Sequence, residues 1–384
     1  MNVLALFDGH SGGQTALKTM GITPTKYYAS EINKYAIQAT TAVFPNTIQM
    51  GSVTEWRNWD VDFATIDLFI GGSPCQGFSV AGKQAGTTAL LNGEKIIVDT
   101  RERYLEMKVA GAEFLSQSYL FWEYILCLDH VKQCNPKVKF FLENVKMKKE
   151  YLTLISEAIG VEPVFINSAL VSAQNRQRFY WCNWGVEQPE DKGVLLADIL
   201  EVEGVGNIKD KGEWKERETK SQYLDANYYK GVDNHGQRTM IGQSYNRKDG
   251  LGKALDKSYP LNASDWRGLN RNQTQTAVVS TERVDTATDI RGHDYNKRIS
   301  NSQGVCLKNI HYRKLTPREC GRLQTIPEDI LDILLSAGIS NSQLYKMFGN
   351  GWTIDVIAHI FSSMDLPIQV FARQLDLFEG PQHD

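Results

Sequence analysis

The sequence predicts an α/β fold: a mixed, mostly parallel sheet with a smaller polar lobe inserted towards the C-terminal half. Three observations predict it. Short apolar runs recur through the first half, at Val3 to Phe7, Tyr27 to Ser30, Asp67 to Ile70 and Lys139 to Val145. Runs of this length and composition fit strands covered on both faces. Helical stretches lie between them, as at Gln14 to Met20, where Gly21 supplies a stop. From about Lys192 to His311 the apolar runs shorten, and Gly, Asn, Gln, Ser and Thr rise.

The 384 residues allow one large domain and a smaller one. A composition of 42% hydrophobic and 23% charged residues is ordinary for a globular chain. The net charge of −3 gives no global basic field, yet a local basic groove can still bind nucleic acid. Cys75, Cys127, Cys134, Cys182, Cys306 and Cys320 show no CxxC spacing. They predict neither a metal site nor a disulfide framework, and a reducing cytoplasm is the simplest setting. The first strand is broken by Asp8, too soon for a signal peptide, and no apolar run is long enough to span a membrane.

The first strand, Val3 to Phe7, runs into the glycine-rich turn Asp8-Gly9-His10-Ser11-Gly12-Gly13 and then a helix. The second strand ends at Glu31. A strand, a glycine turn, a helix and a strand ending in an acid form a nucleoside-binding unit. The glycines let the backbone approach a ligand, and the acid accepts from ribose hydroxyls. An ordinary steric turn is the alternative.

Asp67 to Ile70 leads through Gly71-Gly72 to Ser73-Pro74-Cys75-Gln76. Pro74 fixes its own φ and holds Ser73 extended, so the approach to Cys75 is stiff. A thiol beyond the carboxyl end of a strand is a candidate nucleophile, and a buried spacer is the plainer reading. A long polar run follows to about Gln117, with Arg101, Arg103 and Lys108 on either a phosphate-facing or a solvated helix. Ser118 to Leu126 reads as an amphipathic helix.

Lys139 to Val145 ends in Glu143-Asn144-Val145. A carboxylate at the end of a central strand is costly unless it is partnered or protonated, and protonated it can donate to a ring nitrogen. A helix N-cap region is the alternative. Two apolar strands then flank Gln174-x-Arg176-x-Arg178, which alternation places on one face. Two guanidiniums on one face suit carboxylates, carbonyls or phosphates, or a salt-bridged edge strand. The last third has Thr316 as an N-cap, Pro317 at the first helical position and Glu319 in the first turn. Gly349-Asn350-Gly351, read as a turn before the helix Thr353 to Phe361, offers backbone N–H groups to a ligand carboxylate.

Taken in order, these stretches resemble the DNA (cytosine-5)-methyltransferases of bacteria and phages. Phe7-Asp8-Gly9 resembles the family's Phe-x-Gly-x-Gly, with Ser11 at its second glycine. Gly51-Ser52-Val53 stands where the family has Gly-Asp-(Ile/Val), whose aspartate faces the adenine amine. Pro74-Cys75-Gln76, Glu143-Asn144-Val145, Gln174-x-Arg176-x-Arg178, the block from Leu315 to Gln324 and Gly349-Asn350 match further motifs. Parts of the first half also resemble animal de novo methyltransferases.

The resemblance implies a Rossmann-like S-adenosylmethionine-dependent methyltransferase domain over residues 1–190. A target recognition domain follows over 191–311, and a return segment over 312–384 completes the first domain. It implies S-adenosylmethionine held by Phe7, Asp8, Gly9, His10, Gly12, Glu31, Ile32, Ser52, Val53, Pro74, Leu120, Asn350, Gly351 and Trp352. The catalytic set it implies is Cys75, Glu143, Arg176 and Arg178, with Gln76, Ser79 and Gln174 contacting DNA. The expected partner is double-stranded DNA, met by a cytoplasmic monomer without metal, and a cognate restriction endonuclease is a candidate second partner. A tRNA cytosine-5 methyltransferase and a catalytically silent DNA-binding relative are the alternatives.

Overall fold

A computed structural model gives the fold and describes residues 1–74, 87–201, 205–210, 213–217, 220–231, 235–246, 250–251 and 310–364. Its centre is a seven-stranded sheet. The strands are β1 (Asn2–Leu6), β2 (Lys26–Ser30), β3 (Ile48–Gln49), β4 (Leu68–Gly71), β8 (Lys139–Val145), β9 (Val164–Asn167) and β11 (Gln177–Cys182), in the order β3-β2-β1-β4-β8-β11-β9. The pairs β2–β3, β1–β2, β1–β4 and β4–β8 are parallel. Strand β11 runs antiparallel to both β8 and β9. The chain leaves β1 outward through β2 and β3, then returns to β4 on the other side. That reversal is the topological switch point at which open α/β sheets bind ligands.

The strand sequences explain why both faces are covered. Side chains alternate, so Val3, Ala5, Leu68, Ile70 and Phe141 face one core and Leu4, Leu6, Phe69, Phe140 and Leu142 the other. Against the first pack α1 (Gly12–Thr19), α2 (Lys34–Val43), α8 (Glu328–Ser336), α9 (Asn341–Asn350) and α10 (Ile354–Ser362). Against the second pack α4 (Leu120–Cys134) and α5 (Lys149–Ile159). The capped helix read from Thr316, Pro317 and Glu319 is α7 (Pro317–Leu323), closed by a reciprocal capping box between Thr316 and Glu319.

The polar run after the Cys75 stretch holds more structure than its sequence suggested. Strands β5 (Thr88–Leu91), β6 (Glu94–Ile97) and β7 (Glu113–Phe114) form an antiparallel sheet, followed within it by α3 (Arg101–Val109). The missed signal is Asn92-Gly93 between two apolar runs. Their φ values are 51° and 87°, and a two-residue hairpin turn of this type needs positive φ at both positions. Arg101 pairs with Asp129, and Lys108 with the fully buried Glu123, so the protein itself occupies these cations. Glu123 also accepts from Trp56 Nε1 at 3.0 Å and Tyr104 Oη at 2.6 Å, which fastens α3 to α4.

Beyond β11 the chain forms β10's partner β14 (Ser221–Gln222), which pairs parallel with β10 (Gln174–Asn175), and a short helix α6 (Leu196–Ile199). An antiparallel sheet follows, built from β12 (Val205–Asp210), β13 (Glu213–Arg217), β15 (His235–Asn246), β16 (Gly250–Leu251) and β17 (Ile310–Lys314). Leu196, Ile199, Leu224 and Tyr228 lie in the first core, so the chain between β11 and β15 is stitched into the large sheet's helical layer. No helix among the described residues is long and apolar enough to cross a membrane, and none of their side-chain groups could hold a metal ion.

Candidate active site

The turn after β1 carries an unusual backbone. Phe7, Gly9 and Ser11 have φ of 58°, 59° and 59°, left-handed values that only glycine adopts freely. Ser11 therefore occupies a conformation that favours glycine, and its side chain supplies the compensation. Its hydroxyl donates to Asp8, and Thr40 Oγ1 donates to it at 3.3 Å. Asp8 also accepts from Tyr27 Oη at 2.7 Å. Burial, with the nearby Glu31 charge adding to it, lifts the Asp8 carboxyl from 3.8 to about 7 despite these two donors.

Glu31, just past β2, braces the same turn. One oxygen accepts from Gly9 N at 2.8 Å, and the other from Ile32 N and Asn33 N, each at 2.8 Å. Ser52 caps a short 3-10 turn by accepting from Thr54 N at 3.3 Å, while its hydroxyl meets that of Thr54 at 2.9 Å. His10 is buried beside Phe348, and its Nε2 has no hydrogen-bond partner among the described residues. Burial pushes the imidazole down to about 4, so it is neutral at pH 7.

These groups bound a cavity of about 610 Å³ beyond the carboxyl ends of β1, β2, β4 and β8. Phe7, Asp8, Gly9, His10, Gly12, Glu31, Ile32, Ser52, Val53, Pro74, Leu120, Asn350, Gly351 and Trp352 all lie along its wall. So do Ser30, Asn33, Gly72, Gln117, Lys346 and Met347, which the sequence reading did not single out. Asn33 carries a legible signal, since it stands as the N-cap of α2.

The other wall is chemical rather than glycine-rich. Glu143 is buried at the end of β8. Arg178, on the neighbouring β11, places Nε 2.9 Å from Glu143 Oε1, diagonal to it across the strand pair. Trp352 Nε1 donates to Glu143 Oε2 at 3.2 Å. Next to Glu143, Asn144 reaches over to β4 and donates to the Ser73 carbonyl at 3.4 Å and hydroxyl at 3.2 Å. The carboxylate strand thus holds the approach to Pro74. Cys75, Gln76 and Ser79 lie outside the described residues.

Two expectations need correction. Gln174 does not face a groove: it is fully buried, donating to Leu323 O at 2.9 Å and Gln324 Oε1 at 3.2 Å and accepting from Leu224 N at 3.0 Å. Arg176 lines the same cavity as Arg178. Its guanidinium is buried and donates to the carbonyls of Leu224 at 3.1 Å, Gly349 at 3.2 Å and Gly351 at 2.8 Å. Gly349 and Asn350 form the last turn of α9 rather than a free turn before α10, and Gly351 N is spent on Met347 O at 2.7 Å. The Cα of Gly349 lies against the backbone of Asp225 and Ala226, where an added Cβ would clash at 2.4 Å.

An S-adenosyl group fits this cavity on two grounds. A glycine turn with left-handed residues faces a carboxylate at the end of β2, and a neutral imidazole leaves one buried nitrogen unpaired. A family model described as C-5 cytosine-specific DNA methylase matches residues 1–100 and 110–365. The stretch it skips, 101–109, is α3. Among curated proteins, the orphan methyltransferase M.SPRI of Bacillus phage SPR is 26% identical over 95% of this chain and 97% of its own. The type II methyltransferase M.HpaII of Haemophilus parainfluenzae is 26% identical over 92% and 86%. A crystal structure of a Spodoptera frugiperda DNMT2 mutant shares the fold, with a TM-score of 0.52, 17% identity and coverage of 94% of this chain and 98% of that one.

Proposed function

Since this chain belongs to the C-5 cytosine-specific DNA methylase family, and is on that ground a DNA (cytosine-5)-methyltransferase, we propose that it methylates C5 of a cytosine flipped out of a specific duplex sequence. The observation that carries this reading is the position of Glu143. Its carboxyl group is held by Arg178 and Trp352 at the cavity that also receives the glycine turn and Pro74.

When bound, S-adenosylmethionine supplies an electrophilic methyl group. Phe7, Gly9, Glu31, Ile32, Ser52, Val53, Asn350 and Trp352 would hold it. Cytosine C5 is a poor nucleophile, so the chain must activate it. The Cys75 thiolate adds to C6 while Glu143 gives a proton to N3, and C5 becomes enamine-like. Arg178 steadies the carboxylate that Glu143 becomes. Once C5 carries the methyl group, a base removes the C5 proton, the C6–S bond breaks to return the thiolate, and N3 gives its proton back to Glu143, which restores the ring. C6 is buried in the base stack, so the target base must leave the duplex first, at a cost of a few kcal/mol.

Residues 1–190 and 312–384 form the catalytic unit in this reading, and 191–311 carry target recognition, with Leu196, Ile199, Leu224 and Tyr228 anchoring that segment in the first core. Relatives are named both orphan and type II methyltransferases, so a cognate restriction endonuclease stays a candidate second partner in this reading, with the bacterial or phage-infected cytoplasm as its setting. The test is transfer of labelled methyl groups to unmethylated genomic DNA, with base-resolution mapping. Modification of cytosine in one short context is expected, and Cys75→Ser should abolish it while duplex binding persists. Transfer to RNA and not to DNA, or turnover in Cys75→Ser, would overturn the reading.

A further inference from the structure

Trp352 lies where two parts of the site meet. Its ring packs on the start of α1: a Cβ built on Gly12 or Gly13 would touch it at 3.5 Å. Phe141 of β8 meets it edge-on, with ring centroids 5.2 Å apart and planes at 78°. The indole N–H then points away from the glycine turn, to Glu143 Oε2.

A second, independent feature marks this contact. Gly72, at the end of β4, passes directly beneath the hydrogen bond. A Cβ there would lie 3.0 Å from Trp352 Nε1 and 3.2 Å from Glu143 Oε2, crowding the donor and the acceptor together. Gly72 is not among the residues with positive φ, so nothing in its backbone conformation requires glycine. The space above its Cα is the requirement.

We infer that Trp352 is a positioning residue for Glu143, fixing the carboxyl rotamer from the cofactor side of the cavity while Arg178 fixes it from the strand side. This rests on Glu143 acting as the proton donor to cytosine N3. In that step the carboxyl group becomes a carboxylate. An indole N–H already aimed at Oε2 meets the new charge without rearrangement. Tyr180, on β11, also lies within reach of the Glu143 charge. Arg176 donates to three backbone carbonyls.

The test separates chemistry from binding. Trp352→Phe keeps an aromatic ring in the pocket and deletes the donor. Gly72→Ala keeps the indole and crowds the bond. Methyl transfer is followed in a single turnover at saturating S-adenosylmethionine, and cofactor affinity is measured by calorimetry. Both variants should slow the transfer step roughly ten-fold, the worth of one hydrogen bond to a charged acceptor. Cofactor affinity should stay within about three-fold, because the ring contacts remain. A loss confined to affinity, with the transfer rate unchanged, would make Trp352 a wall of the pocket and overturn the inference. Gly72→Ala decides the matter if Trp352→Phe does not fold. Glu143→Gln is run alongside: near-normal transfer there would defeat the reading of Glu143 itself. A large loss there with wild-type rates in both other variants would defeat the role of Trp352 alone.

Discussion

Asp8→Asn should abolish a specific pH dependence of stability. In the unfolded chain Asp8 loses its proton near 3.8, and in the fold near 7. Between those values the folded state holds a proton that the unfolded state has released. The stabilising contribution is therefore complete below pH 3.8 and is lost as pH rises towards and through 7. The full difference corresponds to about 4 kcal/mol. Asp8 is only half-buried by its surface exposure and meets water in the cavity, so about half of this, about 2 kcal/mol, is the expected effect. Asparagine is nearly the same shape and never ionises. The hydroxyls of Ser11 and Tyr27 can turn to suit its amide, since one accepts where both now donate.

The measurement is urea unfolding of both proteins, without cofactor, from pH 5 to pH 8.5. Other titrating groups are common to both, so they cancel in the difference. Over a third of the loss falls below pH 5, so the variant should gain about 1.3 kcal/mol on the wild type between pH 5 and pH 8.5. A constant difference across that range would refute the argument that burial holds a proton on Asp8. A difference that grew as pH fell would give the opposite sign and refute it more strongly.

Two further substitutions test the frame around the site. Ser52→Asp keeps the N-cap, because aspartate caps as well as serine, and adds a carboxylate at the cavity wall. It should tighten S-adenosylmethionine binding about three- to ten-fold by calorimetry, and unchanged or weaker binding would show that position 52 does not face a donor on the ligand. Glu123→Leu strands the buried Trp56 N–H and Tyr104 hydroxyl and frees Lys108 and Arg57, so unfolding should become easier by about 3 kcal/mol, with faster hydrogen exchange in α3. A cost below about 1 kcal/mol would mean that α3 does not depend on this anchor.

The backbone of the site was readable because its constraints are local. Val3 to Phe7, the glycine turn and Glu31 follow one another within a strand, a helix and a strand, so periodicity and turn chemistry place them without tertiary information. The same holds for the capping box of α7. The hairpin at Asn92-Gly93 is equally local, but the charged residues around it outweigh a two-residue signal. Other parts are not local. That Trp352 would donate to Glu143 depends on the docking of α10 beside β8, about 200 residues away in the chain. That Ser11 can occupy a left-handed conformation depends on Asp8 and Thr40, and Thr40 lies on another helix. Polarity and spacing do not encode such contacts.

The hardest distinction was between polar residues that face the cavity and polar residues that build it. Gln174 lies on β10, Arg178 on β11 and Arg176 between them, and Arg178 pairs with Glu143 while Gln174 and Arg176 meet backbone carbonyls. The reason lies in what covers each of them. Over Gln174 and Arg176 lie the ends of α7 and α9, whose final carbonyls have no helical partner and must be satisfied. Gln174 meets Leu323 O, and Arg176 meets Gly349 O and Gly351 O. Gln324 completes the frame, donating to Phe348 O at 2.5 Å and accepting from Thr353 Oγ1 at 2.9 Å. A guanidinium at the carbonyl end of α9 also opposes the helix dipole, so its charge is used there. Arg178, two residues on, meets Glu143 instead, and both arginines line the cavity. The division of labour between two arginines of one motif is thus set by where a helix stops, a boundary that belongs to residues 349–351 and not to the motif itself.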